Sequence, residues 1–165
     1  MSAAGFNVDE DGLLDLSSCY SSIHCDPFKA LSIAQCYYFS QMTGIAAWDG
    51  TPIAGLANAE MFNHLVCKHG KHKRGNPINP LIDLDIDRIR RLPLISRAVS
   101  GSLGGVVYFD GKRDSVLVVV DVDDFDNYVV ALQTVGRTYR IKSAYPTKSS
   151  YVEKIKRRSL GSITL

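Results

Sequence analysis

The feature that most narrows the fold is a change of rhythm after Gly104. Beyond it, four segments rich in Val, Ile, Tyr and Thr follow one another: GVVYF (105–109), SVLVVVDV (115–122), YVVALQTV (128–135) and TYRIKSAY (138–145). β-Branched and aromatic side chains suit the pleated, half-buried surface of a strand. The links DGKRD, DDFDN and Val-Gly-Arg are short enough for hairpins. The pattern therefore predicts four antiparallel strands in a meander. VLVVV is apolar without a break, which predicts a central strand covered on both faces. In TYRIKSAY, simple alternation puts Tyr139, Ile141, Ser143 and Tyr145 on one face and Arg140, Lys142 and Ala144 on the other.

The preceding residues read as helices. Asp26-Pro27 is a helix start, with Asp as cap and Pro at the first helical position, and Gly44 is a stop. Apolar residues of 28–43 cover more than one face, which predicts a buried helix. Residues 44–56, with Gly44, Gly50, Pro52 and Gly55, read as loop, and a second helix is predicted over about 56–69. KHGKHKRGNPINP (68–80) reads as loop. A third helix is predicted in the stretch ending at Pro93, with Leu84, Ile89 and Leu92 facing inward and Asp83, Asp87, Arg88 and Arg91 outward. Residues 92–102 add a turn or two, and SSYVEKIKRR (149–158) closes the chain as a basic helix. The expected class is α+β: N-terminal helices, a four-stranded antiparallel sheet and a short C-terminal helix.

Composition separates two regions. Residues 1–60 carry seven acidic side chains and one base, Lys29, a charge of −6; residues 61–165 carry ten acidic and eighteen basic side chains, a charge of +8. This asymmetry points to a polyanionic partner for the basic part. The expected organisation is an acidic segment, 1–55, packed on a basic main domain, 56–165, where it serves docking, delivery or restraint. No apolar run reaches the ~18 residues of a membrane span, and the acidic start differs from a secretory signal. A cytoplasmic setting follows, in a host or target cell or with a virion. Cys19, Cys25, Cys36 and Cys67 lack paired spacing and read as free thiols. Cys67, His69 and His72 do not match a standard zinc spacing, so neither metal nor cofactor is expected.

Two basic clusters carry the chemistry. His64, Lys68, His69, Lys71, His72, Lys73 and Arg74 fall within eleven residues free of acids. Arg137, Arg140, Lys142, Lys148, Lys154, Lys156, Arg157 and Arg158 fall within twenty-two residues whose one acid is Glu153, interleaved with Tyr139, Tyr145 and Tyr151. Lys and Arg favour phosphate, and aromatic rings offer faces to unpaired bases. The plainer alternative is solvated surface charge. His64, His69 and His72 are acid–base candidates because imidazole titrates near neutral pH. Metal-free RNA cleavage needs a base for the 2′-OH, cations for the phosphorus oxygens and an acid for the leaving oxygen, and a His beside Lys and Arg supplies these. The aspartates 121, 123, 124 and 126 read as a solvated turn, since the glycine and terminal glutamate of a calcium loop are missing.

A basic segment with histidines (HLVCKHGKHKRG), then RIRRLPLI, then strands with VVYF and VLVVVDV, and a last strand ending in IKSAYP: this order resembles the toxin and phage nucleases grouped with barnase, EndoU, colicin D and RelE. The resemblance covers residues 56–158, and Ser143, Ala144, Tyr145 and Pro146 match the Thr-x-Tyr-Pro-like end of the family's last strand. It implies metal-independent cleavage of RNA, tRNA or single-stranded, by 2′-OH transesterification. His69 then takes the acid–base role with His64 and His72 in reserve. Lys68, Arg140 and Lys142 contact phosphate, and Ser143 and Tyr145 line the site. Lys71, Lys73, Arg74, Arg137 and Lys148 extend the binding surface, and an immunity or virion protein is a further expected partner. Two readings stand beside the ribonuclease: a non-catalytic nucleic-acid-binding or virion-associated protein on the same fold, and an interaction protein docking through its acidic part.

Overall fold

The computed structural model describes residues 5–68, 79–111, 114–122 and 127–165. The chain divides into two compact units: residues 1–43 with 56–94, and residues 44–55 with 95–165.

The first unit is built from short, locally capped helices. A hairpin of β1 (Tyr20–Ser21) and β2 (His24–Cys25) leads into α1 (Pro27–Tyr37). The Asp26 carboxylate accepts from the Phe28 and Lys29 amides, and Pro27 takes the first helical position. A π-helical turn, Tyr38–Met42, continues α1. Three more helices follow in this unit, α2 (Ala59–Val66), α3 (Pro80–Asp83) and α4 (Ile86–Arg90), capped by the side chains of Asn58, Asn79 and Asp85. The predicted third helix is thus two, because Leu84 turns extended to bridge Cys67 and Asp85 then caps α4. Helices α1 and α2 both pack on α4, and Tyr38, Phe62, Leu65, Val66 and Ile89 are buried. The Tyr38 ring lies 5.1 Å from Phe62, edge to face.

The boundary between units falls within α5 (Leu92–Val99), whose eight residues make about the two turns expected there. The second unit contains a five-stranded antiparallel sheet: β3 (Val106–Asp110), β4 (Ser115–Asp121), β5 (Asn127–Val135), β6 (Thr138–Thr147) and β7 (Ser159–Thr164), in the order β6-β5-β4-β3-β7. Helix α6 (Ser149–Arg158) connects β6 to β7. The four predicted strands are present, and apolar β4 takes the central place with Val116 to Val120 buried.

The expected fold class needs correction: the sheet has five strands rather than four, a two-stranded sheet precedes α1, and the helices are not all N-terminal. SLGSIT hides its strand because Gly161 and three hydroxyl residues carry little apolar signal. It becomes a strand by pairing with β3, Val107 opposite Ile163 and Tyr108 opposite Ser162.

Strand register also corrects β6. Ala131 faces Ser143 while Leu132 faces Ile141, so Lys142 is the extra residue of a bulge. A bulge shifts the alternation by one. Tyr139 and Ile141 therefore share one face with Ala144, and Arg140 shares the other with Ser143 and Tyr145. The predicted grouping is wrong on both counts. On the second face, Val152 and Ile155 of α6 pack with Tyr108, Leu117, Val119, Val129 and Ala131, flanked by Tyr145 and Tyr151.

Gly105 fixes where β3 begins. Its φ is +97°, and a side chain there would run into the Val119 carbonyl and lie 2.7 Å from Val120 Cγ1. The β6 edge is covered at its start: the Ala54 amide donates to the Tyr139 carbonyl (2.7 Å), and the Tyr139 amide to the Pro52 carbonyl (3.0 Å). Trp48 stacks on Tyr139 at 5.4 Å.

Candidate nucleic-acid interface

The α6 face of the second unit holds the most complete arrangement of predicted site residues. Register aligns Asp110 with Ser115, Ser115 with Gln133, and Gln133 with Arg140, a polar row across four strands at one end of the sheet. Helix α6 crosses this face obliquely. Its start is held by the Asn127 side-chain amide donating to the Ser149 hydroxyl (3.3 Å), and its end by Arg158 Nε against Asp110 Oδ2 (3.2 Å). The helix so placed leaves the Gln133–Arg140 corner open: Arg140 is exposed and Gln133 partly so.

One stripe of α6, Tyr151, Lys154 and Arg158, follows the three- and four-residue spacing of a helix face. The Tyr151 ring meets Tyr145 of β6 at 6.3 Å, which turns this stripe toward β6, and the Arg158 guanidinium lies over the Tyr151 ring at 5.9 Å. Burial, and then the Tyr151 hydroxyl beside it, push the Tyr145 phenol up against the smaller opposing pull of Arg158. At neutral pH that phenol keeps its proton, so it can donate a hydrogen bond and does not serve as a base. On the opposite flank Lys156 pairs with Glu153 at 2.9 Å, which raises the ammonium and lowers the carboxyl.

Arg137, Arg140, Lys142, Lys148, Lys154, Lys156, Arg157 and Arg158 are all exposed. Arg137 stands in the turn between β5 and β6, where Gly136 has φ +61°, and Lys148 precedes α6. Of the predicted catalytic residues, the fold brings Ser143 and Tyr145 to one face with Arg140, with Lys142 in the bulge between them. His64 and Lys68 belong to the other unit. His64 is half-buried in the last turn of α2, and Lys68 is exposed just beyond it, its amide donating to the Asp83 carbonyl (2.7 Å). His69, Lys71, His72, Lys73 and Arg74 lie outside the described residues. The same holds for Asp123, Asp124 and Asp126 of the acidic turn.

Among the described residues, no three His, Cys, Asp or Glu side chains are grouped to hold a metal ion. Cys67 is fully buried, and burial pushes its thiol up to about 11, the Asp83 charge adding to the effect. Among the described residues no helix is long and apolar enough to cross a membrane.

Two residues of the face escaped sequence reading. Gln133 stood beside Thr134 near the end of an otherwise apolar strand segment, a weak signal. Asp110 read as part of a turn, and its hold on Arg158 joins residues 48 positions apart, which local pattern does not display. The chain matches no protein-family model, no curated protein and no solved structure in these comparisons.

Proposed function

We propose that the second unit binds single-stranded nucleic acid, RNA in the first place, along the open corner between β6 and α6. The observation that carries this reading is the exposure of every Lys and Arg from Arg137 to Arg158, in the turn before β6, on β6, at the residue linking it to α6, and on α6 itself. Arg140, Lys142, Lys154 and Arg158 supply phosphate contacts; the Tyr151 ring and the neutral Tyr145 phenol supply a stacking edge and a donor. Single strands suit the site better than a duplex, because half-buried tyrosines reach bases only where these are splayed out.

A second, catalytic reading rests on His64 in the last turn of α2, with Lys68 just beyond the end of that helix, past the extended Cys67. In that reading His69 is the first choice for acid–base work, with His64 and His72 in reserve.

One experiment addresses both. Fluorescence anisotropy with a single-stranded RNA of about 20 nucleotides is followed across salt, with EDTA present and the RNA checked for breakage. Binding should weaken with salt, and changing Arg140, Lys142 and Lys154 together to Gln should flatten the log–log slope by about 2. Absence of salt-sensitive binding would sink the proposal. Cleavage that survives EDTA and is lost in His69→Ala would promote the catalytic reading.

A further inference from the structure

We infer that the outer edge of β7 is a self-association surface, on which a second copy of this chain adds its own β7 in antiparallel register. The inference stands apart from the nucleic-acid reading.

The two edges of the sheet are treated differently. At β6, residues 52–54 lie along the edge and exchange hydrogen bonds with Tyr139. At β7, five of six residues are exposed, and the strand has no charge and no proline. Charges, prolines and covering segments are the usual means by which a sheet edge is kept from pairing with another chain. β7 has neither charge nor proline, and among the described residues no segment pairs with its outer edge.

The phase of the edge follows from one bond. The Leu165 amide donates to the Gly105 carbonyl (2.9 Å), so residues 161, 163 and 165 turn their backbone groups toward β3. Alternation then turns the amides and carbonyls of Ser162 and Thr164 outward. No described residue bonds them.

These groups are self-complementary about a two-fold axis through Ile163. Ser162 of one copy faces Thr164 of the other, and the reverse, each pair exchanging both backbone hydrogen bonds. Their hydroxyls lie on the α6 face, opposite Tyr108 and Val106, where Ser–Thr cross-strand pairs are favourable. Ile163, 43 % exposed, lies on the other face and meets its own mate at the close spacing of a non-hydrogen-bonded pair. Charge selects the direction. Arg157 and Arg158 precede β7, and a parallel pairing would set the two basic turns side by side. In the antiparallel register Arg158 and its mate stand about 34 Å apart, counted at the rise of a strand, beyond the screening length at physiological salt.

A single added strand pair is a small interface, so a weak dimer is expected, with a dissociation constant of roughly 10 µM to 1 mM. Sedimentation velocity of the whole chain over that range should show a monomer–dimer equilibrium. Ile163→Lys, which sets two ammonium groups face to face, and Thr164→Pro, which removes an outward donor without touching the bonds to β3, should each shift it to monomer. Circular dichroism checks that both variants stay folded. If they do not, amide exchange of the wild-type protein decides: Ser162 and Thr164 should gain protection as concentration rises. A wild-type chain that stays monomeric with concentration-independent exchange overturns the inference. So does a dimer that both folded variants leave unchanged, which would place the contact elsewhere.

Discussion

The two units are ordered by different physics. In the first, each helix carries its own start signal: Asp26, Asn58, Asn79 and Asp85 all accept hydrogen bonds from amides of the turn that follows. In the second, α6 has no side-chain cap at Lys148 and is placed instead by Val152 and Ile155 against the sheet. The sheet itself is held by strand pairing, through hairpins from β3 to β6 and, for β7, through β3 alone, a partner far back in the chain. A locally capped helix tolerates change at its neighbours. A strand packed backbone to backbone does not, because neither chain can give way. The same contrast divides the chemistry, with every histidine in the segments of the first unit and an exposed row of cations on β6 and α6 of the second.

Three changes test that contrast, in decreasing order of expected effect. Gly105→Ala puts a methyl group into the Val119 carbonyl at a backbone φ that other residues rarely adopt. It should cost more than about 3 kcal/mol in urea unfolding. A loss below 1 kcal/mol would mean that β3 can shift, and the contrast with the first unit would fail. Asp26→Ala removes the acceptor for the Phe28 and Lys29 amides and should cost about 1 kcal/mol. A loss as large as that of Gly105→Ala would show the first unit to be as tightly interlocked as the sheet.

The smallest effect concerns Cys67, whose thiol sits near 9 when unfolded and about 11 in the fold. The folded state therefore holds the proton more tightly. Its contribution is whole below pH 9 and fades as the pH climbs toward 11, because the unfolded chain releases its proton first. The stability difference between the wild type and Cys67→Ala should then narrow when urea midpoints are compared at pH of about 8 and about 10.5. A difference that stays constant would mean that the thiol is not desolvated as the packing implies.

Much of the candidate site was legible as chemistry and little of it as geometry. The cations from Arg137 to Arg158 and the tyrosines among them were visible as a cluster, because charge and aromatic content are properties of composition. Which of them share a face was not. Period-two alternation in TYRIKSAY set Ser143 against Arg140, and the bulge at Lys142 reversed that, because its position is chosen by pairing with Ala131 and Leu132. Asp110 entered the site through Arg158, a contact between the end of one strand and the end of a helix far along the chain.

By itself the sequence determined those elements whose cause is local. Val-rich runs between turn residues gave β3 to β6, the central place of VLVVV followed from its unbroken apolar character, and Asp26-Pro27 set the start of α1. The charge contrast between the two parts of the chain was equally explicit. Only the tertiary structure decided β7, the bulge, the placement of residues 52–54 along the β6 edge and the split of the predicted third helix. Each of these depends on a partner that supplies or withholds hydrogen-bonding groups, and a polar segment such as SLGSIT has no periodic apolar signal to announce that partner. Local preferences act over a few residues, whereas strand register and edge covering are properties of two segments at once.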